Sequence, residues 1–377
     1  MKDKIFVTRP WLPPLNEILP YLENIWNSRV LTNEGRYLKE LETNLAKYLQ
    51  AKHVSLLNNG TIALLIALQS LGLSGEVVTT PFSFVATTHC LSWLNLTPVF
   101  ADIEPNSFNL DPAKVEAAIT KRTSAILGVH CYGRPCDVVA LADIAKAKNV
   151  KLIYDAAHAF GVKHQGRSVM LSGDLSAISF HATKVFNTFE GGAVVSHDDE
   201  LYNRINLLKN FGIQDESTVA DIGLNGKMNE FCAALGLVQL DHIGEAIVAR
   251  RLHDDFYRQN LANIPNLICP PWPANVSPNY AYFPILVEPG FPLSRDGLYE
   301  KLTHHNIFVR RYFYPLISEF SMYHNLPSAT EANLSVASSV SRRILCLPIY
   351  PDLSLAQAER VVGIIADSAG LTQWKSL

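Results

Sequence analysis

Seven short apolar runs, separated by segments of helical period, constrain this chain more than any other feature. They occupy residues 53–57, 76–80, 97–101, 124–130, 151–155, 175–180 and 193–196. Most are rich in Val, Ile, Leu or Phe and read as continuous apolar stretches rather than alternation, the pattern of strands covered on both faces. Helical patterns lie between several of them, at 61–71, 112–119 and 138–148; Pro135 and Asp137 stand at the entry of the last and Asn149 at its exit. Strand–helix–strand repetition predicts an α/β fold with a seven-stranded, mostly parallel sheet and helices on both sides.

The rhythm fades after about residue 200. Segments 201–211 and 228–251 read as helices, the second long. Pro265, Pro270, Pro271, Pro273 and Pro278 then crowd a short stretch that reads as a loop into a smaller α+β region. There 282–287 reads as a strand, and 295–304 and 355–369 as helices. These shifts place a large domain at 1–245 and a small C-terminal domain at 246–377. The 377 residues are 48% apolar and 18% charged, which supplies a sizeable core and excludes a solvated disordered chain. A net charge of -3 gives no electrostatic footprint for nucleic acid or an anionic membrane. The longest apolar stretch, 62–68, is far short of the ~18 residues of a membrane span, and the charged start is no signal sequence. A cytoplasmic protein is expected, with its six cysteines as free thiols. His130-Cys131 with Cys136 is a weak zinc signal, a lone C-x4-C without a second pair, and no metal is expected.

Three places carry possible chemistry. Asn58-Asn59-Gly60-Thr61 joins a strand to an apolar helix. Free backbone N–H groups and the helix dipole at such a turn suit a phosphate, although an ordinary turn capped by Thr61 has the same appearance. Asp155 ends an apolar strand, where ligands of open α/β sheets bind, and small alanines follow it; a helix-capping aspartate is the plainer alternative. Lys184 follows another strand, near Gly191 and Gly192. Desolvation there would lower its pKa and make it a nucleophile toward carbonyls, whereas most loop lysines are simply solvated. Together the three are the parts of a pyridoxal 5′-phosphate (PLP) site: a phosphate cradle, a partner for the pyridine nitrogen and an amine for the aldehyde. Phe84, after Thr79-Thr80-Pro81, could lie on one ring face.

The chain also resembles the DegT/StrS-type nucleotide-sugar aminotransferases, which are fold-type I PLP transferases. The resemblance rests on Thr8-Arg9-Pro10, Leu31-Thr32-Asn33, Asn59-Gly60-Thr61-x-Ala63-Leu64, Thr80-Pro81-Phe82-Ser83-Phe84-x-Ala86-Thr87 and Pro98-Val99-Phe100-Ala101-Asp102. It continues through Val129-His130-x-x-Gly133, Asp155-Ala156-Ala157-His158-Ala159, and Ser179-Phe180-His181-Ala182-Thr183-Lys184 followed by Glu190-Gly191-Gly192-Ala193. It implies that Lys184 is the Schiff-base lysine and Asp155 the partner of the pyridine nitrogen. His158 falls near the ring hydroxyl, Phe84 on the ring face, and Gly60, Thr61 and Ser179 on the phosphate. Asn229 resembles the asparagine that reaches the phosphate from the neighbouring subunit, which implies a homodimer with shared active sites. Arg311, Tyr312 and Tyr314 fall where the family contacts the sugar nucleotide, with domain packing as the alternative for the two tyrosines.

The resemblance further implies L-glutamate and a nucleotide-linked keto sugar as substrates. Retention of Lys184 argues against the dehydratase branch, which carries histidine there. His-Ala-Thr-Lys-Val-Phe-Asn and Phe-Glu-Gly-Gly resemble the C4 aminotransferases making dTDP-4-amino-4,6-dideoxyglucose more than the C3 branch. The favoured substrate is therefore dTDP-4-keto-6-deoxyglucose. A C3 aminotransferase, a PLP-dependent sugar dehydratase and a non-catalytic PLP or sugar-nucleotide sensor remain alternatives.

Overall fold

The computed structural model describes residues 4–371. Its large sheet contains β1 (His53–Leu57), β2 (Glu76–Thr79), β3 (Thr97–Phe100), β4 (Thr123–Val129), β5 (Lys151–Asp155), β6 (Leu175–Ser179) and β7 (Gly192–Ser196). They lie in the order β1-β7-β6-β5-β4-β2-β3. Only β7 runs antiparallel to its neighbours; the other pairings are parallel. The seven expected runs thus all become strands, each within a residue or two of its expected ends.

Continuous apolar strands follow from burial on both faces. Ala177 and Val194 belong to one core cluster, whereas the adjacent Ile178, Ala193 and Val195 belong to another. The helices are α1 (Leu15–Ser28), α2 (Arg36–Leu49), α3 (Gly60–Ser70), α4 (Ala86–Trp93), α5 (Pro112–Ala118), α6 (Val138–Lys148), α7 (Asp199–Leu208) and α8 (Glu230–Leu261). Helices α3, α4 and α7 contribute to one side of the sheet, and α1, α2 and α8 to the other near β1 and β7. Helices α5 and α6 cover that second side toward β4 and β5. Helices α1 and α2 were not anticipated.

The C-terminal region has its own core. Strands β8 (Phe283–Val287) and β9 (Ile344–Leu347) form an antiparallel sheet with the short strand Leu267–Ile268. Helices α9 (Arg295–His304) and α11 (Leu355–Ser368) pack on this core, and α10 (Ser335–Arg343) leads into β9. Helix α8 runs ten residues past its expected end, and residue 245 lies inside it. Its last turns bring Tyr257 and Leu261 into the second core, which also receives Ile5. The Ile5–Phe6 strand pairs with Ile307–Phe308. Among the described residues, α8 alone is long and apolar enough to cross a bilayer; more than half of its apolar window is buried, and Arg250 and Asp254 are interior. All six cysteines are free thiols.

Candidate active site

The carboxyl ends of β5 and β6 and the amino end of α3 converge on a cavity of about 630 Å³. This is where open α/β sheets place their ligands. Gly60, Thr61, Phe84, Asp155, His158, Ser179, Lys184 and Tyr312 all line it, although they span some 250 positions of sequence.

The cradle begins at Asn59. Its side chain, not that of Thr61, caps α3: Asn59 Oδ1 accepts from the Ile62 N–H at 2.9 Å. Gly60 and Thr61 precede Ile62, so their N–H groups have no acceptor one turn earlier in the helix and are available to an anion. Gly60 is required by close approach. A Cβ there would lie 2.6 Å from Ser179 Cβ. Gly192 on β7 is required from the other side, because its Cβ would lie 2.6 Å from the Asn59 carbonyl. The two glycines let the turn settle against the ends of β6 and β7, with the Thr61 and Ser179 hydroxyls beside it.

Asp155 is pinned at both oxygens. Thr87 Oγ1 donates to Oδ2 at 2.8 Å, and the Ala157 N–H donates to Oδ1 at 3.1 Å. Burial raises its pKa, against the two hydrogen bonds and the nearby Lys184 charge. Lys184 sits on the loop after β6. That loop is closed by Phe180 N–H to Gly191 O at 2.8 Å and Thr188 N–H to Phe180 O at 3.0 Å. Phe180 and Phe186, both fully buried, pack edge to face beneath it. Burial lowers the Lys184 pKa to about 8, with Asp155 opposing the fall. A useful fraction of the amine is therefore neutral near physiological pH.

His158 accepts from the Tyr132 N–H at Nδ1, 3.2 Å away. Burial, with the Lys184 charge, pushes its pKa well below the usual histidine value. The ring is thus neutral, with its proton on Nε2, and it offers a donor at the cavity wall. Phe84 is 60% exposed at the opening. Its turn is shaped by Thr80, whose hydroxyl accepts from the Phe82 N–H at 3.0 Å.

The profile of the DegT/DnrJ/EryC1/StrS aminotransferase family matches residues 15–366. The chain belongs to that family. It is 50% identical over 368 residues to the dTDP-4-amino-4,6-dideoxy-D-glucose transaminase of Shigella dysenteriae, covering 97% of this chain and 100% of that protein. The transaminase of the same name from Escherichia coli is 51% identical over 357 residues, covering 94% and 96%. The crystal structure of DesI in the presence of its TDP-sugar product superposes with a TM-score of 0.94 at 35% identity, covering 98% of this chain and 95% of that one. This DegT-family aminotransferase uses PLP, and the cavity fits it: a helix amino end held close to Ser179 by Gly60, a half-buried carboxylate hydrogen-bonded at both oxygens and a desolvated amine.

Three expected site residues lie apart from this cavity. Asn229 is exposed and caps α8, its Oδ1 accepting from the Cys232 N–H at 2.8 Å. Arg311 donates to Asp296 at 2.8 Å, and its guanidinium lies 4.4 Å from the Tyr299 ring centroid. Tyr314 packs beneath Arg295, whose guanidinium is 4.5 Å from its ring centroid. Tyr312, by contrast, lines the cavity beside Tyr282 and Phe313. Other lining residues not singled out from the sequence include Ser83 and Tyr282, and Thr87 stands behind Asp155. Ser83 and Thr87 lie inside a quoted motif, but nothing local in it says what a hydroxyl there would touch.

Proposed function

We propose that the enzyme transfers the amino group of L-glutamate to C4 of dTDP-4-keto-6-deoxyglucose, giving dTDP-4-amino-4,6-dideoxyglucose. The observation that carries this reading is full-length 50% identity to a transaminase named for that product, joined to one cavity holding both Lys184 and Asp155. When bound, PLP supplies an electrophilic aldehyde carbon and an electron-accepting pyridine ring.

The chain's residues then have distinct tasks. The Gly60 and Thr61 N–H groups, with the Thr61 and Ser179 hydroxyls, hold the phosphate at the α3 amino end. With PLP bound, Phe84 would cover one ring face, and the His158 Nε2–H would be a donor for the ring hydroxyl. Asp155, held by Thr87 and Ala157, keeps the ring nitrogen protonated. Lys184 anchors the cofactor at rest. With its amine free, Lys184 would hold and move a proton over the cavity, acting as base and then acid. In the cofactor-free protein burial lowers the pKa of this amine to about 8. Tyr312 on the cavity wall contacts the sugar, and Arg311 and Tyr314 are assigned to the same nucleotide-sugar substrate. Asn229 from a second copy completes the phosphate cradle, which makes the working unit a homodimer.

The test is product analysis after mixing the enzyme with glutamate and a panel of nucleotide-linked keto sugars. An amine on C4 of the dTDP sugar together with 2-oxoglutarate is the expected result. An amine on C3, or turnover of UDP- or GDP-linked sugars alone, would overturn the corresponding part of the reading.

A further inference from the structure

Behind Asp155 lies a chain of two hydroxyls. Thr87 Oγ1 is 2.8 Å from Asp155 Oδ2, and Ser83 Oγ is 2.8 Å from Thr87 Oγ1. Thr87 is fully buried and Ser83 nearly so. A hydroxyl carries one proton. With Asp155 ionised the carboxylate can only accept, so the Thr87 proton points to Asp155 and Ser83 must donate to Thr87. The direction of the chain is thereby set by the charge on Asp155. The Ala157 N–H occupies Oδ1 at 3.1 Å. Each carboxylate oxygen then has one protein donor and retains capacity for one more partner.

We propose that Thr87, backed by Ser83, is the positioning residue for Asp155: it fixes the carboxylate's orientation and keeps it ionised on the cavity wall. The inference rests on reading the cavity as the PLP site. It also gives a physical reason for the run from Thr80 to Thr87. One turn presents Phe84 to the cavity on one side and aims Thr87 at Asp155 on the other, so the ring-face contact and the nitrogen partner are set by the same short segment. The Thr87 N–H bonds Phe84 O at 3.1 Å, which ties the two together. The amino end of α4, where Thr87 lies, adds a favourable potential for a carboxylate. The titratable groups around Asp155 are Lys184 from the loop after β6, His158 from the loop after β5, Cys90 from α4 and Cys131 beyond β4. Lys184 favours the ionised form. Burial holds His158 neutral and both thiols protonated, so Thr87 and Ala157 carry the remaining support.

The experiment compares Thr87→Val, Thr87→Ser and Ser83→Ala with the wild type. In cofactor-free protein, infrared difference titration follows the Asp155 carboxylate, assigned by its absence in Asp155→Asn. PLP affinity is measured separately by absorbance titration. A hydrogen bond to a charged group carries about ten- to hundredfold in an equilibrium. Thr87→Val should therefore raise the Asp155 pKa by about one unit or more and weaken PLP binding at least about tenfold. Thr87→Ser should restore both to near wild type, and Ser83→Ala should shift both in the same direction by less. Thr87→Val with an unchanged carboxylate pKa and unchanged PLP affinity, whatever its melting temperature, overturns the proposal. So does a serine variant as impaired as the valine one. If Thr87→Val does not fold, an unshifted Asp155 pKa in Ser83→Ala is the overturning result. Failure of the wild type to bind PLP would instead refute the cofactor reading, and the infrared titration stands apart from it.

Discussion

Replacing Gly60 by alanine tests the phosphate cradle at its tightest point. The new Cβ would start 2.6 Å from Ser179 Cβ, 2.9 Å from its Oγ and 3.0 Å from its Cα. Carbon atoms rest about 3.5–4.0 Å apart, so turn and strand end must separate by about 1 Å. Two of these contacts involve atoms at the root of Ser179, so a rotamer change cannot relieve them all. Strain of this kind costs about 1–3 kcal/mol of stability. The larger effect is on binding. A phosphate hydrogen bond of about 2.9 Å opened by 1 Å is no longer a hydrogen bond. Losing one or two charge-assisted donors costs about 2–4 kcal/mol, or roughly 30- to 700-fold in PLP affinity. The assay is titration of cofactor-free protein with PLP, followed by absorbance, beside a thermal melt. Gly173→Ala is the control: a Cβ there would lie 2.6 Å from Leu152 O with φ at +73°, in the turn before β6 at the other end of the strand. It should lower the melting temperature and leave PLP affinity intact. Unchanged affinity in Gly60→Ala would refute the cradle, and equal loss in both variants would reduce it to general instability.

In cofactor-free protein, Lys184 should react with an amine-directed reagent with a pH midpoint near 8, because burial destabilises its ammonium form. Asp155→Asn removes the charge that opposes the shift, so the midpoint should fall further; a wild-type midpoint near 10 would contradict the desolvated amine. Saturated with PLP, Asp155→Asn should also slow the glutamate half-reaction more than about tenfold, ~1.4 kcal/mol of barrier, and a smaller effect would remove Asp155 from the ring nitrogen. Mixing an excess of inactive Lys184→Ala protein with an inactive Asn229→Ala variant should restore part of the activity, since a mixed dimer has one site with both residues intact. No recovery after demonstrated subunit exchange would place the whole site within one chain.

The large sheet was legible because its signal is local. A strand buried on both faces must be apolar at every position, and Leu152, Ile153 and Tyr154 announce that without reference to neighbours. Asp155 and Lys184 were legible for a related reason: parallel strands place their carboxyl ends together, so polar residues just past apolar runs are candidates for one site, whereas Ser179 was reached through the family resemblance. Helix α2 was not anticipated, although it carries a helical-period apolar stripe at Leu38, Leu41, Leu45 and Leu49. In α8 the pattern misleads, because Arg250 and Asp254 stand at interior positions: Arg250 donates to the distant Ile349 O at 3.0 Å, and Asp254 accepts from Arg258 Nε one turn on at 2.6 Å and from Trp272 Nε1 at 3.2 Å. What the tertiary structure alone decided is how the site is tuned. Thr87 meets Asp155 across 68 positions, Gly60 is squeezed by Ser179, and Tyr132 selects the His158 tautomer. Such contacts join segments brought together only when the sheet closes. The Lys184 amine is tuned because the surrounding protein desolvates its ammonium form, and desolvation is a property of the packed protein rather than of any run of residues.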